Sequence, residues 1–396
     1  MRRALPAIAV GLTLLAVWPP SQSAFHEPKR WLFFAAATLG ALLTLPRWKW
    51  TALPLVALTA LQPWHGAGPG LQALAFAWAL AAWPALQPDL RRLTRISGIA
   101  AAVVGLVVVL QALGLDVLAF AAPDAETTRL RAYGTLGNPD FVASALLPIA
   151  VLLIGSREKK WLLLLLLIVP ALVLTRSFAT LLSALVAAVL VSVHRRRSPS
   201  DPPERSPSVP PPSTPRGANG GLLVMGVLCM LLAVGLLGRD PGNTLAGRRY
   251  LVAVALPHVA DAPLLGHGLG ATVLAWPTWE LSYWQARCDD AACVKAHPEG
   301  RFAGLQDHLH ADWLEWLLER GLPGALALLL ALGAPLRASW RGADPFLFAA
   351  LGAALSRGLV DFPLHRPADL CLLAALVACA QVSQTQPPAS SRSVKP

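Results

Sequence analysis

The amino-acid sequence predicts an all-α polytopic membrane protein, with about twelve transmembrane helices and one large periplasmic loop late in the chain. Three observations carry this. Of 396 residues, 55% are hydrophobic and 14% charged, too few charges to cover a water-soluble globule of this size. Apolar stretches near membrane-spanning length recur from one end of the chain to the other. Lys and Arg gather in alternate connections between them, the pattern left when basic loops are retained on the cytoplasmic side.

The apolar stretches are Leu5 to Trp18, Trp31 to Leu45, Trp50 to Trp64, Leu71 to Leu86, Ile96 to Ala121, Phe141 to Ile154, Trp161 to Leu174, Phe178 to Val193, Leu222 to Leu237, Trp313 to Leu336, Phe346 to Leu359 and Leu370 to Val382. Several fall short of the roughly 20 residues a straight span needs and recruit flanking Trp and Pro. With twelve helices, Arg2/Arg3, Arg47/Lys49, Arg91/Arg92/Arg95, Arg157/Lys159/Lys160, Arg195 to Arg197, Arg337/Arg341 and Arg392/Lys395 share one side, and both termini are cytoplasmic. Residues 116–138 and 239–310 then face the periplasm. The formal charge of +11 is a topology signal: its basic residues are dispersed among the spans, which excludes nucleic acid as a partner and leaves the lipid bilayer. Residues 1–24 also read as a secretory signal, with Arg2 and Arg3, an apolar core and the small-residue run "SQSA". Cleaved or not, His26 to Arg30 lie outside.

This divides the chain into an N-terminal bundle (1–193), a Pro-, Ser- and Arg-rich disordered cytoplasmic linker (194–221), one membrane helix (222–238), the periplasmic loop (239–310), a C-terminal membrane segment (311–383) and a cytoplasmic tail (384–396). No internal repeat is visible, and the spans are nearly free of charge, whereas a transporter needs ionisable groups at mid-bilayer depth. Charge collects instead at the outer water–lipid boundary, which suits chemistry on an amphiphilic substrate. Cys288 and Cys293, five apart in the periplasmic loop, are placed for a local disulfide. Cys229, Cys371 and Cys379 sit in apolar spans as packing residues.

Three motifs carry chemistry. In "HLHADWLEWLLERGLPG" (308–324), Trp313, Leu314, Leu317 and Leu318 recur at helical spacing while Asp312, Glu315 and Glu319 form a polar stripe. The helix starts near His310 and enters the membrane after Gly321. His308 and His310, beside Asp307 and Asp312, stand at its N-terminus, where an imidazole is able to take a proton from a sugar hydroxyl, or simply to hydrogen-bond the helix start. A zinc site from His297, His308, His310 and an Asp is a third reading, with no standard ligand spacing. In "GRRYLVAVALPHVADAPLLGHGLG" (247–270), Arg248 and Arg249 begin a helical run; they either clamp a diphosphate bidentately or snorkel to the interface. "GHGLG" lacks a preceding strand and reads as a turn. "RAYGTLGNPDFVASALLPIA" (131–150) is a tight turn before a span. Lys29, Arg176 and Arg366 stand at outer ends of spans as interface anchors or ligands.

In order, "FHEPKR" (25–30), "GTLGNPDFVASALL" (134–147), "LTRSFATLLS" (174–183), the 247–270 and 308–324 motifs and "DFPLH" (361–365) resemble the O-antigen ligase and O-antigen polymerase superfamily. The resemblance spans most of the chain. It implies a GT-C-like membrane glycosyltransferase that uses an undecaprenyl-diphosphate-linked glycan as donor, needs no metal or other cofactor, and delivers the glycan to lipid A-core or another periplasmic acceptor. Carried over by position, the family's loop arginine falls on Arg248 and its essential loop histidine on His310, with Asp261, Pro263 and Gly266 matching the pattern downstream of the arginine. Three positions depart: Val252 replaces an aromatic residue, Ala311 a frequent Asn, and Phe178 a basic residue that Arg176 is placed to restore.

These readings converge on catalysis by His310 and Arg248 on the outer face of the bacterial inner membrane. Arg249, Arg176, Lys29, His308 and Asp312 complete the expected substrate and diphosphate contacts. A ligase, a polymerase or a protein O-glycosyltransferase shares this machinery. A lipid-linked glycan transporter and a non-catalytic envelope protein are the alternatives of other classes.

Overall fold

The computed structural model describes residues 2–19, 23–48, 52–119, 132–156, 158–197, 217–237, 241–304, 306, 308–342 and 344–382, and every regular element among them is helical. Twelve helices coincide with the apolar stretches. They are α1 (Leu5–Leu15), α2 (Glu27–Thr44), α3 (Leu53–Leu61), α4 (Ala67–Ala82), α5 (Leu90–Ala112), α6 (Pro139–Ile154), α7 (Leu165–Leu174), α8 (Phe178–Arg197), α9 (Gly217–Gly235), α13 (Asp312–Arg341), α14 (Pro345–Arg357) and α15 (Pro367–Val382). Between α9 and α13 the late loop forms α10 (Pro241–Ala255), α11 (Ala271–Gln285) and α12 (Ala291–Ala296). Four segments, Ala67–Leu86, Leu90–Ala112, Phe178–Arg197 and Asp312–Arg341, are long and apolar enough to cross a membrane alone.

Helix α15 is the centre of the bundle. Every residue from Pro367 to Ala380 is buried, and α1, α2, α4, α13 and α14 pack around it. Its sequence explains the position: a helix apolar on all sides has no solvent face, and its many Ala and Cys side chains allow close approach. Outside it, α14 lies against α8 and α6, α5 against α1 and α7, and α2 against α4. Helices α6, α14 and α15 run the length of the bundle. One end carries Asp140, Arg357 and Arg366, and the other Gly155, Asp344 and Val382. At that second end lie Arg3, Arg91, Arg92 and Arg95, with Arg195 over the ring of Phe346 and Arg197 over Trp340. Arg3, Arg91, Arg92, Arg95, Arg195 and Arg197 thus share one end, and Arg357 and Arg366 lie at the other.

Two expected boundaries shift. Helix α8 continues to Arg197, because the His194–Arg197 cations suit a helix C-terminus, and α9 begins at Gly217. Residues 198–216 of the expected linker, the 384–396 tail, Ser21 and Gln22 of the signal-like run, and Asp307 lie outside the described residues.

The late loop has its own core. Tyr250, Leu251, Val254, Trp276, Trp279, Tyr283 and Trp284 pack against Leu309, Leu314 and Leu318 at the head of α13. Cys288 and Cys293 are bonded, and Cys229, Cys371 and Cys379 are buried thiols.

The loop is also keyed into a break in α13. At Gly321 the backbone leaves the helix (φ 64°, ψ −175°), freeing carbonyls that must find donors elsewhere. His267 N–H donates to Leu318 O (2.7 Å), Gly268 N–H to Glu319 O (3.0 Å) and the Gln62 amide to Arg320 O (3.0 Å), while Leu322 N–H donates to Pro263 O (2.8 Å). A Cβ on Gly266 would stand 2.4 Å from the Glu319 carbonyl, and one on Gly321 would stand 2.5 Å from Leu264 O. Both glycines adopt positive φ, which side chains resist. The 262–269 turn is therefore the plug that completes a broken membrane helix.

Candidate active site

The site is built from the first turns of α13 and the turn between α14 and α15. Asp312, Glu315 and Glu319 recur on one face of α13, and all are buried. The polar stripe faces inward, onto His365. That imidazole places Nδ1 3.0 Å from Asp312 Oδ1 and Nε2 3.5 Å from Glu315 Oε1 and 3.8 Å from Glu319 Oε2. Burial lowers the His365 pKa, but Glu315, Asp312 and Glu319 outweigh it and hold the imidazolium well above its ordinary range. Backbone donors complete the carboxylates: Leu364 N–H to Asp312 (2.9 Å) and Leu309 N–H to Glu315 (3.0 Å). His308 joins them, with Nδ1 2.8 Å from Glu315 Oε1 and its ring stacked on Phe362.

A second cluster centres on Asp361. Arg357 Nε lies 3.0 Å and Arg366 Nη1 3.2 Å from Asp361 Oδ2. Burial raises the Asp361 pKa; the two guanidiniums outweigh it and keep the carboxyl well below the usual range. Arg357 is fully engaged: it donates to Thr180 Oγ1 (2.6 Å), the Asp140 carbonyl (2.8 Å) and Ser177 Oγ (3.3 Å). Ser177 and Thr180, on either side of Phe178 and Ala179, thus supply hydroxyl acceptors for an arginine from α14. Arg366, an expected interface anchor, is instead 2% exposed, pairing with Asp369 at 2.6 Å, donating to Ser144 Oγ at 2.9 Å and covering the Phe141 ring.

His310 stands at the rim of this cluster. Its Nδ1 is 3.6 Å from Asp361 Oδ1, its side chain is 41% exposed, and its ring meets the edge of Phe362. The backbone is left-handed (φ 52°), a conformation that His tolerates better than most residues and that costs of order 1–2 kcal/mol. The buried Leu309 on one side, and the Asp312 N–H shared between Gly358 O (3.0 Å) and Asp361 O (3.2 Å) on the other, pin the turn. Such strain held in place by its surroundings is common where geometry serves chemistry.

Arg248 approaches from α10. Tyr250 and Val254 anchor that helix in the aromatic core, leaving Arg248 half-buried on one side and Arg249 exposed on the other. Arg248 Nη1 is buried with no hydrogen-bond acceptor among the described residues. Burial lowers the Arg248 pKa, while Asp361 and Asp140 are close enough to raise it and Arg357 to lower it further. His310 thus stands within ion-pair distance of Asp361, whereas Arg248 lies beyond that distance but within electrostatic range of Asp361 and Asp140.

The other expected residues divide. His308 and Asp312 lie in the cluster below His310. Lys29 is 2% exposed and donates to the carbonyls of Ala16 and Thr135, the latter at 2.8 Å, tying α2 to the 134–136 turn. Arg176, also left-handed (φ 49°), donates to Gly235 O (2.9 Å) and Leu237 O (2.5 Å) at the end of α9. His297 stands edge-on to Trp284 in the loop core. His308, Glu315 and His365 bring one ligand atom each to within 4.8 Å of one another, a set able to hold a divalent metal, whose contacts shared protons also satisfy.

Arg357, Asp361 and His365 were not among the expected site residues. The signal for Arg357 was its presence in an otherwise apolar span, since an intramembrane arginine needs a buried partner. His26, edge-on to Phe141, also borders the site; burial, then Arg366 and Lys29, lower its pKa to about 4.

Comparison with known proteins adds one finding. Residues 141–329 match the family model described as O-antigen ligase. The match includes Arg248, His310 and the stripe on α13; the Arg357–Arg366 turn lies beyond it. No curated protein matches the chain.

Proposed function

Since the chain belongs to the O-antigen ligase and polymerase superfamily through residues 141–329, a family of membrane enzymes acting on lipid-linked glycans, we propose that it transfers a glycan from undecaprenyl diphosphate to lipid A-core on the periplasmic face of the inner membrane. The observation that supports this reading is the surroundings of Asp361: His310, half-exposed at 3.6 Å, and, within electrostatic range of it, Arg248, whose buried Nη1 has no acceptor among the described residues.

In the proposed reaction the acceptor hydroxyl attacks the anomeric carbon of the donor. The new C–O bond forms as the bond to the diphosphate oxygen breaks, with inversion at that carbon. The hydroxyl proton passes to His310, whose imidazolium Asp361 stabilises, and His310 later releases it to water. The lipid diphosphate departs with the bonding electron pair. Arg248, an always-charged planar fork, meets the charge that develops on it, and Arg249 extends the basic surface on the exposed side. Asp361 is a positioning residue, held by Arg357 and Arg366, and the chemistry uses protons and fixed charges without a metal.

The test is reconstitution of the full chain in vesicles with undecaprenyl-diphosphate-linked glycan and lipid A-core, in the presence of a chelator. Glycan attached to core supports the ligase. Longer lipid-linked glycan with no core product assigns the chain to the polymerase branch. Movement of donor across the bilayer with no new glycosidic bond overturns the enzymatic reading, and recovery of transfer only when a metal is restored overturns the metal-free chemistry.

A further inference from the structure

The end of the bundle away from His310 contains a cavity of about 670 Å³. Arg3, Arg91, Arg92 and Arg95 stand on its wall, with Trp161 beside them and Leu90, Leu152 and Leu347 forming an apolar flank. Basic residues at this end follow from the topology. The incomplete pairing of Arg3, Arg91 and Arg92 with the acids of the wall does not, because topology would be served equally well by neutralised pairs.

Three acids share the wall, and each is already engaged. Asp89 is the N-cap of α5 and accepts from Arg91 N–H at 2.9 Å. Asp344 caps α14, accepting from Phe346 N–H (2.9 Å) and Leu347 N–H (3.1 Å). Glu158 accepts from Arg95 and from the Trp161 indole at 3.0 Å, and lies 3.5 Å from Lys160. Among the described residues the Arg3 guanidinium meets only the neutral amide of Gln87, at 3.1 Å, and Arg91 has no acid within ion-pair distance. Arg92 is 3.8 Å from Asp89 with its side chain 54% exposed, a loose contact. Two uncommitted guanidiniums and a third weakly held one thus surround a space that is apolar on one side and open to the basic membrane surface on the other.

We infer that this cavity binds the phosphodiester head group of one anionic phospholipid, with the glycerol backbone against the Leu90–Leu347 flank. A phosphodiester matches the chemistry of the wall: guanidiniums pair with phosphate oxygens bidentately, and inter-helix basic pockets on the cytoplasmic side suit anionic head groups. A zwitterionic lipid carries an ammonium that the arginines repel. The head group ties α1, α5, α6 and α14 together at one end of the helices that hold Asp140, Arg357 and Asp361 at the other. The inference is independent of the glycan chemistry proposed above.

Native mass spectrometry of the full chain, released from detergent with graded phosphatidylglycerol or phosphatidylcholine of matched acyl chains, tests it. One phosphatidylglycerol retained in preference to phosphatidylcholine is expected. Arg3→Gln and Arg91→Gln each lower that preference about fivefold, whereas Arg196→Gln/Arg337→Gln, exposed basic residues that do not line the cavity, leave it unchanged. Arg91→Lys restores part of it, and unchanged melting temperatures show that the variants fold. Equal retention of both lipids, or an equal loss in the control pair, overturns the site. Inorganic phosphate at millimolar concentration displacing no lipid supports the lipid source; thermal stabilisation by phosphate in phosphatidylcholine alone, with no lipid preference, overturns it in favour of a soluble anion.

Discussion

Asp361→Asn keeps the shape of the side chain and deletes the charge on which the candidate site turns. On one side, two buried guanidiniums at 3.0 and 3.2 Å lose their shared counter-charge. Removing one member of such a buried group typically costs about 3–5 kcal/mol, and the Asn oxygen, still able to accept from Arg357, places the expected loss at the low end, about 3 kcal/mol. On the other side, a unit charge 3.6 Å from an imidazolium is worth about 4–5 kcal/mol at an effective dielectric of 20 and about 1 kcal/mol in water. His310 is 41% exposed, so screening brings the figure to about 1–2 kcal/mol, a slowing of transfer of about 5–30-fold beyond any loss of folded protein. Thermal unfolding followed by tryptophan fluorescence reads the first effect, and single-turnover transfer normalised to folded enzyme reads the second. An Asn variant that melts like the wild type and transfers within twofold of its rate refutes the reasoning on both counts.

Other expectations follow from the same contacts. Gly321→Ala and Gly266→Ala each force a Cβ into backbone at 2.4–2.5 Å and a left-handed φ; each is expected to cost about 2–4 kcal/mol and to detach the 262–269 turn, read as new protease cleavage there. His26 is neutral when folded down to about pH 4 but takes up a proton near pH 6.5 when unfolded. Its contribution is therefore complete above pH 6.5 and lost as pH falls toward 4, by up to about 3 kcal/mol, and His26→Phe should flatten that part of the stability–pH curve. Arg248→Ala is expected to lower kcat about 10²–10³-fold, with Arg248→Lys recovering only part because one ammonium cannot fork a diphosphate. Thiol titration of denatured protein should find three groups before reduction and five after, given the Cys288–Cys293 bond and the three free cysteines.

The helices were largely legible because their signal is local. Apolar runs of spanning length and the Lys/Arg alternation are properties of contiguous sequence, and each run proves helical. The site was legible only in part. His308, His310 and Asp312 announced themselves by standing together before an amphipathic helix. Asp361 and His365 sit about 50 residues further on and reach that helix only through the α14–α15 turn, a juxtaposition that no periodicity encodes. Arg357 was hidden in an apolar run whose mean character outweighed a single charge. Lys29 and Arg176 show the converse: position at a span end suggested ligands, whereas each spends its donors on backbone carbonyls that a turn or helix end leaves unmatched. The turn at Gly266 was read correctly as a turn, but its purpose lies in a helix break some 55 residues away.

The central claim is that His310, Asp361 and Arg248 act as one unit on a lipid-diphosphate glycan, and a double-mutant cycle in single-turnover transfer tests it most directly. With His310→Ala and Asp361→Asn measured singly and together, and protein normalised for folding, the account expects both single variants to be slow and the double variant to be no slower than His310→Ala, because the aspartate acts through the histidine. Losses that multiply, or a His310→Ala enzyme that transfers at the wild-type rate, would contradict it.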